Sequence, residues 1–326
     1  FFVVPRDWAE PWSVRNELFL SSLFLHNPEA RVYFVALDEG ARPRARTLAP
    51  YLHMGYHMRG VHLPPAELRA SGWWLSDDNK RWLTARTAEP SDVDDAVALS
   101  VALSAAAAAP GGRAGATRQH ARDVAEYVRL YLVARWGGTL IAPDAILLRS
   151  FPGDEFIGTL HVPASSSVTP LLQEPRVVAV PHVLRLAAGS PVVTEALARV
   201  FTATSKWHVS ADAGDAADLA CPVTREVNAA LRAAMADGTS STSVAVLPPS
   251  ELYPYPPEEA HTALLARGAN GSQALLVEHL RRTSTSLHLF GHGSSGEPIE
   301  AGSLVHRLRS EHELSLIHIS EPTRLR

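Results

Sequence analysis

The chain has 326 residues, 46% of them hydrophobic, enough apolar material to bury a sizeable core as one large α/β domain or two small ones. A formal net charge of −4 supplies no basic field, which argues against a general nucleic-acid binder. The single cysteine, Cys221, excludes an internal disulfide framework, and no apolar run approaches the roughly 20 residues of a membrane-spanning helix.

In chain order, Phe1-Phe2-Val3-Val4 predicts a short apolar strand closed by Pro5. The chain opens on Phe rather than Met, directly in this strand, so an upstream segment is expected before it. Ser13 to His26 carries Val14, Leu18, Leu20, Leu23, Phe24 and Leu25, which predicts a helix with Ser13 as its N-cap. Asn27-Pro28 ends it, and Arg31 to Leu37 follows as a second strand. Strand, helix, strand is the opening of a parallel-sheet nucleotide-binding layer.

Tyr51 to Ala85 is rich in Trp and His: Trp73, Trp74, Trp82, His53, His57 and His62. Two readings stand: a platform of aromatic faces for sugar C–H groups, or a covering helix and loop packed on the sheet. His53 and His57 are four apart, a helical metal spacing, but Gly55 between them favours surface histidines. Glu89 to Thr117 differs in kind, with Ser91-Asp92-Val93-Asp94-Asp95, the alanine run 105–109 and Pro110-Gly111-Gly112. It reads as an insertion, its acidic start a solvated turn.

Ala121 to Phe151 (ARDVAEYVRLYLVARWGGTLIAPDAILLRSF) is the stretch the chain is arranged around. Val124, Tyr127, Val128, Tyr131 and Leu132 make one apolar helical face, and Glu126 and Arg129, three apart, share another. Gly137-Gly138 supplies the helix stop, because glycine takes the left-handed conformation without a side-chain clash. Thr139-Leu140-Ile141 and Ala145-Ile146-Leu147-Leu148 read as two halves of one buried strand, broken at Ala142-Pro143-Asp144 by a proline that cannot donate to a sheet. A carboxylate at that break, beside a helix carrying an acid and an arginine, is a candidate ligand site.

Asp154 to Val180 holds two short strand candidates, and Pro191 to Phe201 an amphipathic helix. Ala211 to Met235 leads into a second helical stretch whose Asp212, Asp215 and Asp218 form a solvated acidic row. Val244 to Tyr253 (VAVLPPSELY) is a strand ended by two prolines, and Ser286 to Phe290 (SLHLF) a strand followed by the Gly291-His292-Gly293-Ser294-Ser295 loop. Leu314 to Arg324 (LSLIHISEPTR) looks like a translated sequencing adaptor, so 309–326 is expected to be a non-native or disordered tail.

The central stretch resembles the α-1,4-glycosyltransferase family of DXD-containing sugar transferases, whose members read roughly S-D-x-x-R, an apolar helix, Y-G-G-x-Y-x-D-x-D, then V-x-L-K. Here Glu126-x-x-Arg129, Gly137-Gly138, Asp144 and Ile146-x-Leu148-Arg149 stand in that order, with Leu140 and Ala142 departing from the pattern. The resemblance extends to Ser22-Leu23-Phe24-x-x-Asn27-Pro28, Pro222-Val223-Thr224-Arg225, VLPPSELYP at 246–254, Leu287-His288-Leu289 and Glu300-Ala301-Gly302-Ser303-Leu304. Val180-Pro181-His182 stands where family members carry an Asn-Asn pair.

The resemblance implies a GT-A-like single-domain α/β fold with a mixed, mostly parallel sheet flanked by helices. Residues 1–150 would form a nucleotide-sugar-binding half, with its insertion at about 89–117, and 151–308 an acceptor-side half. It implies a retaining, metal-assisted transfer of a hexose or N-acetylhexosamine from a UDP-sugar to a glycan or glycolipid. Asp144 would be the ligand of Mn²⁺ or Mg²⁺, and Glu126 and Arg129 would hold donor hydroxyls and phosphates. His288 would approach the metal or diphosphate from the opposite side. It also implies a Golgi-lumenal protein tethered through a membrane anchor outside this chain. The alternative is a weakened or inactive relative that binds glycans or a partner enzyme, since Ala142 cannot accept from a ribose or sugar hydroxyl.

Overall fold

A computed structural model of the chain describes residues 2–3, 14–36, 45–63, 128–162, 176–203, 226–231, 233, 244–267, 272–290 and 298–319. Among the described residues nine strands are assigned: β1 Phe2–Val3, β2 Arg31–Ala36, β3 His57–His62, β4 Gly138–Ile141, β5 Ala145–Leu147, β6 Phe156–Val162, β7 Arg176–Leu186, β8 Ala245–Leu247 and β9 Ser286–His288. Seven form the central sheet in the order β3-β2-β1-β4-β7-β6-β8, and β5 pairs with β9 in a second sheet. The central sheet is mixed. Its β1–β2, β1–β4, β2–β3 and β6–β8 ladders are parallel, while β4–β7 and β6–β7 are antiparallel.

The helices are α1 Val14–His26, α2 Ala45–His53, α3 (128–136), α4 Pro191–Ala203, α5 (226–231), α6 Pro249–Leu252, α7 Pro257–Ala260, α8 Ser272–Thr283 and α9 Leu304–Ile319. A π-helical turn, His261–Leu265, continues α7. Strand alternation sorts the core into two layers. In β2, Val32 and Phe34 pack with α1 and α2, while Val35 joins Val128, Val133, Val193 and Val227 of α3, α4 and α5 on the opposite face. Leu140 and Ile141 divide the same way at the centre of the sheet. A third cluster, containing Ile146, Leu148, Leu287, Leu280 and Leu304, lies between the small β5–β9 sheet and helices α8 and α9. Burial of these faces, at about 25 cal/mol per Å² of apolar surface, is the main force holding the layers together.

The glycine stop is as the sequence predicts. Gly137 (φ +67°) and Gly138 (φ +109°) follow α3, and Gly137 N–H donates to Val133 O at 2.8 Å. The tight approach is equally demanding, because a Cβ at Gly137 would lie 2.6 Å from the Ala188 backbone nitrogen.

Several expectations are corrected. The two halves flanking Pro143 are not one strand: β4 lies in the central sheet and β5 in the small one, so the proline turn transfers the chain between sheets. The Tyr51–Ala85 stretch contains an edge strand, β3, in parallel register with β2 from Arg31↔His57 to Ala36↔His62. As Gly55 between them suggests, His53 and His57 are exposed and share no helix: His53 closes α2, His57 opens β3, and Gly55 sits at φ +88°. The second proline of Pro248-Pro249 opens α6, where its missing N–H is no loss. The central sheet takes strands from both sides of residue 150, and α9 runs across residue 309. Ser13, Trp73, Trp74, Trp82, the 89–117 insertion and the acidic row at 212–218 lie outside the described residues. Among the described residues no helix is long and apolar enough to cross a membrane.

Candidate functional site

Asp144 is the last residue of the turn between the two sheets. Ala145 N–H closes the turn onto Ala142 O at 3.1 Å, and Leu289 N–H donates to Asp144 O at 3.0 Å. The β5–β9 register sets Ala145 opposite His288, which brings the His288 Nε2 within 3.3 Å of the Asp144 Oδ1. The histidine is buried and the aspartate side chain 23% exposed. The two side chains thus meet at the rim of the sheet, the carboxylate on the solvent side.

His288 has a determined tautomer. Phe290 N–H donates to its Nδ1 at 3.0 Å, so Nδ1 carries the lone pair and Nε2 the proton. That proton faces Asp144. Phe290 makes this bond from a left-handed backbone, φ +47°, which costs a bulky residue about 1–2 kcal/mol. With Nδ1 engaged, the ring turns Nε2 toward the carboxylate. The structure thus sets the two candidate metal ligands, Asp144 and His288, side by side at 3.3 Å. Among the described residues no group of three His, Cys, Asp or Glu is arranged to hold a metal.

Arg129 lies in the first turn of α3 as described and is 1% exposed. From Arg129 to Trp136 the helix rises about 10 Å, and β4 runs back about 13 Å. The chain leaves β4 toward Asp144 at the carboxyl edge of the parallel strands, and Arg129 stands on the helix that leads into β4. Glu126 lies outside the described residues. Ala142, at the position of the missing first aspartate, is 4% exposed in the turn.

Side chains that the sequence did not single out complete the surroundings. His182 of β7 stacks on His288 with ring centroids 5.3 Å apart and planes 26° apart. Tyr253 lies 5.6 Å from His288 and Phe290 4.5 Å, both tilted. Tyr253 is held by the segment before it: Arg149 Nη2 donates to Glu251 Oε1 at 2.8 Å, Ser284 Oγ to Ser250 O at 2.7 Å, and Ser286 Oγ to Leu252 O at 3.1 Å. Thr285 Oγ1 also donates to Glu251 Oε1. Three sequence segments far apart in the chain, 144–149, 249–253 and 284–290, are thereby tied into one wall. A proline within an apolar run, Val180-Pro181-His182, was the available signal for His182, since prolines in strands mark bulges.

No family model matches the chain, and no curated protein matches it. Among solved structures it is similar to the PaToxG glycosyltransferase, at 10% identity over 97% of this chain and 84% of that one, with a TM-score of 0.38. A likeness at that level assigns neither a family nor an activity.

Proposed function

We propose that this chain is a GT-A-like glycosyltransferase that takes a hexose or N-acetylhexosamine from a UDP-sugar and passes it, with retention, to a glycan or glycolipid. The observation that carries the reading is Asp144: a partly exposed carboxylate at the carboxyl edge of a mixed sheet, held by the buried His288 at 3.3 Å. Ligand sites of open α/β sheets lie at that edge. The buried Arg129 on the helix before β4 and the order of motifs along the chain support the same reading.

The donor set fits a hard divalent cation through Asp144 alone, because Mg²⁺-type ions keep several waters and take one or two carboxylates plus phosphate oxygens. When bound, Mn²⁺ or Mg²⁺ supplies Lewis-acid neutralisation of charge on a diphosphate leaving group. In this reading Asp144 binds, His288 orients Asp144, and Arg129 offers a fixed positive charge to phosphate, with Glu126 on donor hydroxyls. A Golgi-lumenal setting and a membrane tether go with the proposal.

Calorimetry with UDP, with and without Mn²⁺, tests it. Metal-dependent binding that falls at least tenfold in Asp144→Asn is expected; binding indifferent to both metal and substitution would overturn it. The buried Ala142 favours a second reading, a catalytically weakened protein that binds the nucleotide or a glycan. Metal-dependent UDP binding without turnover of any UDP-hexose or UDP-N-acetylhexosamine would select that reading.

A further inference from the structure

The route by which His182 reaches His288 is built into β7. On β6, Ile157 pairs with Leu184 but Thr159 pairs with Ala179, so the lone Gly158 faces residues 180–183 of β7. β7 therefore carries a wide bulge, with Pro181, which has no N–H to give to a ladder, inside it. On its other side the β4–β7 register ends at Ile141↔Val183, and the next position along sets His182 across from Ala142, beside the Pro143-Asp144 turn. The alanine leaves room there for an imidazole.

Across this bulge the β6–β7 register is interrupted. The structure supplies a substitute from α5. Ala179 N–H donates to Asn228 Oδ1 at 2.9 Å, and Asn228 Nδ2 donates to Ala179 O at 2.7 Å. One side-chain amide thus exchanges both bonds with one strand residue, as a paired residue of a neighbouring strand would. It does so immediately before the bulge begins, at a buried residue. Beyond the bulge, β4 takes over the pairing at Val183.

We propose that Asn228 is a positioning residue of the Asp144 site. Its amide pins the start of the β7 bulge, the bulge seats His182 on the face of His288, and His288 lies with its Nε2 3.3 Å from Asp144 Oδ1. Asn228 touches no reacting group; it acts through Ala179 and His182. The role rests on the proposed function only in that Asp144 is taken as the ligand-binding carboxylate.

The test reads the imidazoles directly. Long-range ¹H–¹⁵N NMR of the full chain reports the tautomer of each histidine, and wild type is expected to show His288 protonated at Nε2 alone. In Asn228→Ala the His288 pattern is expected to move toward a mixture of tautomers, and the Mn²⁺-dependent affinity for UDP to fall about tenfold. Asn228→Asp, which keeps an acceptor for Ala179 N–H and loses the donor, is expected to shift both readouts in the same direction by less; it also serves if the alanine variant does not fold. A variant that melts at lower temperature with His182 and His288 signals and UDP affinity unchanged shows a structural role only and overturns the proposal. If wild type binds no UDP, the functional reading fails while the imidazole signals still decide the role of Asn228.

Discussion

His288 Nε2 lies 3.3 Å from Asp144 Oδ1, while its Nδ1 accepts from Phe290 N–H. The carboxylate thus sits against a ring that is itself held through Nδ1 and by its aromatic neighbours. Losing the polar neighbour of a part-buried carboxylate costs about 1–3 kcal/mol. His288→Leu is therefore expected to weaken metal-dependent UDP binding by about tenfold to a hundredfold. His288→Gln, whose amide can still donate, is expected to recover part of that loss. Equal affinities for wild type and the leucine variant in calorimetry would remove His288 from the site.

Gly158 faces the β7 bulge, and a Cβ there would lie 2.6 Å from Leu252 Cδ1, 2.8 Å from Tyr253 Cε2 and 3.3 Å from Val183 O. Tyr253 is fully buried and packs on His288, so it cannot retreat without disturbing the ring that orients Asp144. Gly158→Ala is expected to destabilise the fold by about 1–3 kcal/mol, the range for overpacking a filled core. It should also weaken UDP binding, although residue 158 contacts no ligand in the proposed site. A urea melt with an unchanged midpoint would show that Leu252 and Tyr253 yield freely.

The sequence carried much of the central architecture in readable form. Val128, Tyr131 and Leu132 at helical spacing, Gly137-Gly138 as a stop, and apolar runs on either side of Pro143 all act locally, so their elements can be recognised without partners. What it could not show is where each piece pairs. Pro143 reads equally as a bulge in one strand or a crossing between two sheets, and only the pairing of Ala145 with His288, far along the chain, decides. The strand β3 (HMRGVH) went unseen because Arg59 and Gly60 interrupt its alternation; its pairing with β2 overrides that weak propensity. Asp144 and His288 were singled out separately by motif position, yet the tautomer of the histidine depends on the Phe290 backbone, which no residue pattern reveals. His182 and Asn228 belong to a relationship that exists only once β7 is bulged.

His26, at the end of α1, supplies a pH-dependence that is separate from the site. Its pKa is lowered from 6.5, first by burial and second by the positive charge of Arg281. Arg281 itself pairs with Glu311 of α9, so the charge is held in place near the histidine. The folded protein binds this proton less readily than the unfolded chain, so stability rises with pH across the interval between the lowered pKa and 6.5. The contribution is complete above the unfolded value and is lost as pH falls through the folded one. The urea midpoint is therefore expected to drop as pH falls below 6.5. His26→Gln should flatten the profile over that window. Arg281→Gln should flatten it only in part, because burial is the larger cause and remains. A profile equally steep with glutamine at position 26 would place the proton uptake on another group.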